Sequence, residues 1–325
     1  MYISAVRSSR KIVSFLSITF LFSWGIAAIG HFAGVNAASG IPFMLLAALV
    51  MFCPAIAAII QQRLIDKEKW IGLGLGLKGT NWRIVIATAI LGMCLVPLCL
   101  LVLSLLGDGA GIISFGHVSI TTDQLIKSFQ KLFESAGADG AEKAIAQIEN
   151  IPAGFVLAGA MIYALLAAAT ANLPFMLGEE LGWRGYLFQR TAEWSGAKRI
   201  LFTGSIWGIW HAPLIAMGHN YPEYPIAGIG MMVIFCILAA FLFDWTRSRS
   251  GSIWSSCILH GLINGSAGTM VLFSWGGHPL VGTIVGVAGF IAMLIAIVVI
   301  VLFDRKYRAL LFAPIGSAGR GTIVQ

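Results

Sequence analysis

The stretch IPFMLLAALVMFCPAIAAIIQ, Ile41–Gln61, decides the fold, because it carries no charged side chain from one end to the other. An apolar run of about 20 residues is long enough for one helix to cross the hydrocarbon core of a bilayer. Similar runs recur along the 325-residue chain, which is 58% hydrophobic and 11% charged. Its mean hydropathy is +0.88, and soluble domains carry about 25% charged residues. The sequence therefore predicts an all-α, polytopic membrane helix bundle.

Eight apolar runs of suitable length divide the chain, and we interpret each as one transmembrane helix. Together they form a single integral membrane domain, residues 1–325, with one long polar loop at residues 107–151. The predicted spans are Ile12–Phe32, Ile41–Gln61, Trp82–Leu106, Pro152–Leu173, Ile200–Met217, Ile226–Phe243, Ile253–Phe273 and Val281–Phe303.

The first span has a second interpretation, because Arg7, Arg10 and Lys11 precede it as basic residues precede the core of a signal peptide. The stretch Val35–Ala37 also resembles a cleavage site. The apolar core is longer than the usual 7–15 residues or so of a signal peptide, so we expect a retained anchor. Either interpretation places the start of the second span outside the cell.

The charge distribution orients the spans, since Lys and Arg favour the cytoplasmic side of a membrane. With the N-terminus inside, all 21 Lys and Arg residues fall on the inner side except Lys127, Lys131 and Lys143 of the long loop. We therefore predict a multi-pass protein of the cell (inner) membrane with both termini cytoplasmic. Its short loops are typical of a bacterial protein. Contact with anionic membrane lipid explains the net charge of +7 without nucleic-acid binding.

The long loop, which this topology makes extracytoplasmic, contains TDQLIKSFQKLFE, Thr122–Glu134, with its apolar residues on one helical face. We predict an amphipathic helix that lies on the bilayer surface or caps the bundle. On the inner side, the glycine-rich stretch Gly72–Gly79 matches GxGxxG but joins two membrane spans. A dinucleotide site needs a strand before this motif and a helix after it, so we interpret the stretch as a linker.

Two acids and an arginine stand together in GEELGWRGYLFQR, Gly178–Arg190, at the end of the fourth apolar run. Glu180 and Arg184 are four residues apart, so on a helix they share a face and can pair, whereas Glu179 is rotated by about 100°. The pattern favours one carboxylate held by arginine and a second one free to act as a base. A helix at the membrane interface that shows its charges to the cytosol would have the same pattern, so both interpretations are open.

Two further spans carry polar side chains, and ionisable groups inside a membrane cost about 2.5–3.5 kcal/mol each and mark functional sites. His211 lies in the fifth span, one turn after Trp207. A single histidine there is more often a hydrogen-bonded core residue than a catalyst. His260 and Asn264 lie four residues apart on one face of the seventh span. Such a pair suits proton handling, helix–helix hydrogen bonding, metal ligation or stabilisation of an oxyanion.

Depth along the spans links these groups. At about 1.5 Å per residue, His260 is roughly 12 Å from the inner end of its span and His211 is somewhat deeper. The glutamates end a span that runs inward. We therefore expect all three groups to meet in one polar cavity open to the cytosol. The same topology places His219, His278 and Glu223 in outer loops and His31 at the outer edge, so they are left out of the site.

The three motifs together resemble those of the CAAX-protease and bacteriocin-processing (Abi) family of intramembrane proteases, also called type II CAAX prenyl endopeptidases. They are EExxxR at Glu179–Arg184, an aromatic-xxx-His at Trp207–His211, and HxxxN at His260–Asn264. The family often has Phe at the position of Trp207. The resemblance covers a core of residues 152–268, and the order and spacing of all three motifs are specific.

The resemblance implies hydrolysis of a peptide bond within the membrane, with a lipidated or membrane-associated peptide or protein as substrate. It implies that Glu179 activates a water held by His211. It also implies that His260 and Asn264 stabilise the oxyanion. The side chains that would shape the site are Glu180, Arg184 and Trp207.

These residues do not decide whether the reaction uses a metal ion. Two Glu and two His side chains could bind zinc with a water in the open position. The chain has no HExxH stretch, and we expect a metal-free reaction in which glutamate activates the water.

Two hypotheses from other classes stay open. A non-catalytic membrane partner, for bacteriocin self-immunity or modulation of a sensor kinase, would use the cavity to bind a peptide. A transporter would relay protons through the buried acids and histidines, but it predicts two pseudo-symmetric halves, and the sequence has no internal repeat.

Overall fold

The computed structural model describes residues 2–70, 72–136 and 140–313, and the side chains within them from residue 9 onward except 135 and 136. Two basic residues that the sequence assigned to the inner side, Arg7 and Arg320, fall outside the described side chains.

Helices make up nearly all of the described chain, and they are numbered here in chain order. Short π-helical turns extend three of them: Ile60–Ile65 after α2, Ser104–Gly109 after α3 and Leu181–Leu187 after α7. The helices are α1 Tyr2–Phe32, α2 Ile41–Ile59, α3 Trp82–Leu103, α4 Thr122–Ala136, α5 Ala141–Ile148, α6 Ala153–Ala169, α7 Leu173–Glu180, α8 Phe188–Arg190, α9 Gly196–Trp210, α10 Ala212–Ala216, α11 Pro225–Ser250, α12 Ile253–Ser266, α13 Met270–Phe273, α14 Val287–Phe303 and α15 Arg305–Phe312. Turns of 3₁₀ helix cover Ala37–Ser39, Ile113–Phe115 and Ala267–Thr269, and the strands β1 His117–Val118 and β2 Ser274–Trp275 pair antiparallel.

Five segments of the described chain are long and apolar enough to cross a membrane, and two bent helix pairs raise the number to seven if each pair is one span. The predicted all-α polytopic membrane bundle is confirmed. Of the eight predicted spans, Ile200–Met217 has no counterpart among these seven. The five segments are Ser9–Phe32, Ile41–Ile65, Trp82–Gly109, Pro225–Ser250 and Ile253–Phe273, and the pairs are α5 with α6 (106°) and α14 with α15 (102°).

The predicted fifth span is broken in the middle. Helix α9 ends at Trp210, and α10 begins with Pro213 in its first turn. Proline has no N–H to donate and its ring clashes with the preceding turn, so the α9 hydrogen-bond ladder stops before it. The break places His211 at the C-terminal end of α9 rather than inside a continuous helix.

The predicted fourth span is also broken, so the glutamates do not end it. Helix α6 stops at Ala169 and α7 starts at Leu173. Gly261 of α12 faces Ala168, whereas Gly265, one turn further along α12, faces Asn172. Between Ala168 and Asn172 the chain therefore shifts by one turn along α12, and the acidic motif lies on a separate helix, α7.

Small residues bring the central helices close together. A Cβ on Gly204 would lie 2.5 Å from the Cα of Ile237, and a Cβ on Gly208 would lie 2.5 Å from the Cα of Val233. Glycines four apart leave a flat strip on α9, against which the α11 backbone packs. This packing carries the α9 residues of the site toward α11 and α12.

The predicted amphipathic helix is present as α4, and it caps the bundle. Leu125 on its apolar face is fully buried in a core that includes Met270 and Phe273 of α13. The predicted helical stretch Thr122–Glu134 lies within the observed Thr122–Ala136.

The two ends of the bundle differ in charge. Ion pairs join Lys11 and Arg190 to Asp66, Arg199 to Asp244, and Arg249 to Asp304, where the chain enters or leaves α1, α2, α8, α9, α11 and α14. We call this the basic end. The segments 33–40, 217–224 and 274–286 form the opposite end.

Candidate active site

Helix α7 places its two glutamates by packing flush against α2. A Cβ on Gly178 would lie 2.8 Å from the carbonyl oxygen of Met51, and one on Gly182 would lie 2.5 Å from the Cβ of Pro54. These glycines flank the acidic pair at a spacing of four, so the α2 side of the helix has no room for side chains. Glu179 and Glu180 are therefore directed into the bundle, where they are 3% and 0% exposed.

Glu180 is held by two donors. Its Oε1 accepts from Nη1 of Arg184 at 3.0 Å and from Nδ1 of His260 at 2.8 Å. The Arg184 guanidinium lies between the rings of Trp207 (4.3 Å to the centroid) and Phe243 (4.0 Å), which favours the cation electrostatically. A buried charge without partners is costly, and here salt bridge, hydrogen bond and aromatic faces together offset that cost.

Glu179 has a different environment from its neighbour. Its Oε2 accepts one hydrogen bond, from the indole Nε1 of Trp207 at 2.8 Å. Among the described residues it forms no ion pair, although it is buried. The predicted division between a held carboxylate and a free one therefore has a geometric basis: Glu180 carries the arginine and Glu179 does not.

His211 is oriented by the end of its own helix. Its Nδ1 lies 2.8 Å from the backbone carbonyl oxygen of Trp207, which can only accept, so Nδ1 donates. The ring packs edge-on against Trp210 at 4.8 Å between centroids. This arrangement leaves Nε2 as the nitrogen that can contact a ligand.

His260 and Asn264 lie one turn apart on α12, as predicted. His260 is buried with its ring edge-on to Trp207 and Phe243, 5.5 and 5.6 Å between centroids. Asn264 is exposed, and its only side-chain contact with a polar atom among the described residues is a weak one, from Nδ2 to Sδ of Met176 at 3.8 Å. An amide with so few partners is free to donate to a ligand.

One cavity of about 290 Å³ connects these groups. Glu179, His211, His260 and Asn264 all line it, whereas Glu180 and Arg184 lie behind its wall. Trp207 lines it too, so the structure brings five of the predicted residues to one surface and puts two in support.

The direction of the cavity differs from the prediction. Its lining continues past His211 to His219, Asn220 and Val285, which belong to the end of the bundle opposite the basic end. The sequence predicted an opening on the basic side, and it left His219 out of the site. Depth along a span does not reveal which end of a cavity is closed by packed side chains.

Comparison with known proteins gives the family. Residues 152–266 match the family described as Type II CAAX prenyl endopeptidase Rce1-like. The match is confined to this region, which is similar to that family. A protein of Methanococcus maripaludis named CAAX prenyl protease 2 is 33% identical over 111 residues, which cover 32% of this chain and 38% of that relative. The matched region contains α6 to α12 and with them all three motifs.

The donor set of this Rce1-like region does not form a cage for a metal ion. Among the described residues, no group of three or more His, Cys, Asp and Glu side chains is placed to hold one. Nδ1 of His260 and Nδ1 of His211 are already engaged with Glu180 and with the Trp207 carbonyl. A zinc ion would therefore need ligands from their Nε2 atoms and from Glu179.

Three residues that shape the candidate site were not predicted from the sequence. Gly178 and Gly182 carried a signal, since small residues four apart mark a close helix contact. Phe243, which stacks on Arg184, had none, because one phenylalanine in an apolar span looks like any other.

Proposed function

We propose that the chain is an intramembrane endopeptidase that hydrolyses a peptide bond of a lipidated or membrane-associated peptide or protein. One observation carries the proposal: Glu179, a buried carboxylate without an ion-pair partner among the described residues, lines the same cavity as His211, His260 and Asn264. The family match and the name of the archaeal relative support the same class of reaction.

In the first step Glu179 accepts a proton from a water molecule, and the resulting hydroxide attacks the peptide carbonyl carbon. His211 assists, because Nδ1 donates to the Trp207 carbonyl and the neutral ring then presents Nε2 as an acceptor for the second water proton. A general base at this position contributes about 10²–10⁴-fold to the rate.

In the second step the carbonyl oxygen becomes an oxyanion, and Asn264 and His260 donate hydrogen bonds to it. Nδ1 of His260 is engaged with Glu180, so the oxyanion would meet the Nε2 side of the ring. The C–N bond then breaks, and the Glu179 carboxylic acid returns its proton to the leaving amine. Donors fixed in a buried site need little reorganisation as the charge develops.

The test is the Glu179→Gln variant, which keeps the volume and the ability to accept from Trp207 but cannot take a proton. We expect the purified variant, reconstituted in membranes, to cleave a membrane-associated peptide about 10²–10⁴-fold more slowly than wild type does. Glu193→Gln, an exposed glutamate in the loop after α8, is the matched control and should keep full activity. Equal turnover by both variants would contradict the role of Glu179, and no cleavage by the wild-type protein would favour a non-catalytic, peptide-binding protein.

Two further measurements define the reaction. A comparison of membrane proteomes from cells with the wild-type chain and with Glu179→Ala identifies substrates as proteins that accumulate uncleaved. Metal analysis of the active protein, with cleavage assayed after chelation, tests the metal-free version. Stoichiometric zinc whose removal abolishes cleavage would overturn that version and leave the protease assignment intact.

A further inference from the structure

A tightly packed layer separates the cavity from the basic end. Trp183 and Tyr186 are fully buried, and the ring of Phe15 packs on both, at 6.0 and 4.9 Å between centroids. Beside them the Arg247 guanidinium donates to the Arg184 carbonyl oxygen at 3.0 Å. A peptide would have to displace this layer to reach Glu179 from the basic end, and large buried side chains are the costliest to displace.

The opposite end carries a defined rim. Tyr221 donates from its hydroxyl to the Val285 carbonyl oxygen at 2.7 Å, which joins the segment after α10 to the segment before α14. The Phe43 ring packs against His219, 5.8 Å between centroids, so α2 completes the rim. Asn220, at this rim, lines the cavity and is exposed. At this end of the bundle the way out from Glu179 is therefore bounded by α2 and these two segments.

The lining also limits what the cavity accepts. Of the described residues around it, Glu179 is the only one with a carboxylate, and Lys and Arg contribute none. Met51, Leu214, Met232 and Phe235 make most of the remaining wall apolar. A carboxylate at the end of a peptide would find no lysine or arginine to pair with here, and His260 is already paired with Glu180. An uncharged apolar segment, by contrast, loses little on leaving the lipid.

We infer that the substrate reaches Glu179 through the rim of Phe43, His219, Asn220 and Val285, as an uncharged apolar segment within a longer peptide. This inference rests on the proposed function. Because nearly all Lys and Arg residues lie toward the other end, the charge distribution places this rim on the extracytoplasmic side. The substrate is then a peptide segment exposed on that side of the membrane.

The test attaches a bulky group at either end of the bundle. Glu223 beside the rim and Glu193 at the basic end are both exposed, and neither lines the cavity. Each is changed to Cys in a Cys94→Ser background, since Cys94 is the one exposed native thiol among the described residues. The Glu223→Cys and Glu193→Cys proteins are treated with a membrane-impermeant polyethylene glycol maleimide, and cleavage is compared before and after.

We expect modification of Glu223→Cys to remove most of the cleavage and modification of Glu193→Cys to leave it unchanged. In intact cells Glu223→Cys should react without permeabilisation and Glu193→Cys only after it. Loss of cleavage at Glu193→Cys, or at neither position, would overturn the route. Blocked cleavage with Glu223→Cys labelled only after permeabilisation would overturn the extracytoplasmic side. Cleavage by the unmodified variants reports on the proposed function independently of either outcome.

Discussion

Two groups of buried or half-buried acids lie in this bundle, and they differ in how their carboxylates are paired. At the basic end Asp66, Asp244 and Asp304 each form an ion pair with a lysine or an arginine. Behind the cavity wall Glu180 is paired in the same way. Its neighbour Glu179, which lines the cavity, has one indole donor and no ion-pair partner among the described residues. Paired carboxylates hold helix ends together, whereas the proposed function needs one that has no ion-pair partner.

The largest effect on stability and activity together is expected at Glu180, which is ion-paired and lies next to the unpaired Glu179. Glu180→Gln leaves Arg184 buried without its counter-charge and His260 without its acceptor. Removing one partner of a buried ion pair costs about 3–5 kcal/mol of stability, so both the unfolding midpoint in detergent and the cleavage rate should fall. Glu193→Gln is the control for both. A normal midpoint would show that Arg184 is held by its aromatic neighbours alone.

A smaller effect, confined to activity, is expected at Asn264. Asn264→Ala should slow cleavage about 10²–10³-fold, as loss of one oxyanion donor does elsewhere. The unfolding midpoint should not move, because the side chain is exposed and makes only a weak contact. Asn81→Ala, an exposed asparagine before α3 whose side chain makes no cap hydrogen bond, is the matched control. Unchanged turnover with Asn264→Ala would remove this residue from the mechanism.

At Asp244 we expect the reverse pattern, a loss of stability without a loss of turnover. Its carboxylate accepts hydrogen bonds from Arg199 and from the Tyr307 hydroxyl. Asp244→Asn should lower stability by about 3–5 kcal/mol, because it leaves the buried Arg199 without its counter-charge. Turnover per folded molecule should stay at the wild-type value, because this pair lies outside the cavity. Thermal unfolding and active-site-normalised cleavage separate the two. A selective loss of turnover would show that the basic end acts on the site.

The smallest effect concerns Glu68, beyond the end of the second span. Partial burial opposes its ionisation, but hydrogen bonds from Arg190 and Lys11 outweigh burial and lower its pKa below 4.5. Stability from a lowered pKa is present above pH 4.5 and is lost as the pH falls through the folded-state value. The loss should be below about 1 kcal/mol, since the Glu68 side chain is 36% exposed and water screens its charge. Below pH 4.5 the unfolding midpoint of wild type should fall further than the midpoint of Glu68→Gln. Midpoints that fall in parallel for the two proteins would refute this.

Hydropathy predicts the helices of this fold but not their breaks. The runs that became α2, α3, α11 and α12 are uniformly apolar, and the hydrogen-bonding needs of the backbone in lipid make them helical. The interruption at Thr170–Asn172 is flanked by apolar residues on both sides, so a count of apolar residues passes over it. Pro213 was visible in the sequence, but proline is tolerated in membrane helices and does not by itself fix a break.

The candidate site was predictable in its members and not in its shape. Spacing placed Glu180 with Arg184 and His260 with Asn264, because one turn of helix sets both distances. Which way the cavity extends depends on large side chains from distant segments, such as Phe15 against Trp183. No local pattern records such a contact, so the opening on the side of His219 came only from the structure.

The break after α9 has a consequence for the histidine next to it. In an unbroken helix the backbone N–H of residue 211 would bond to the carbonyl of Trp207. Here that N–H bonds to the carbonyl of Gly208, and the imidazole of His211 takes the vacated Trp207 carbonyl. Main chain and side chain thus compete for one acceptor, and beside Pro213 the ring has taken it. A helix straightened by Pro213→Ala would return the carbonyl to the backbone and leave the imidazole free to rotate.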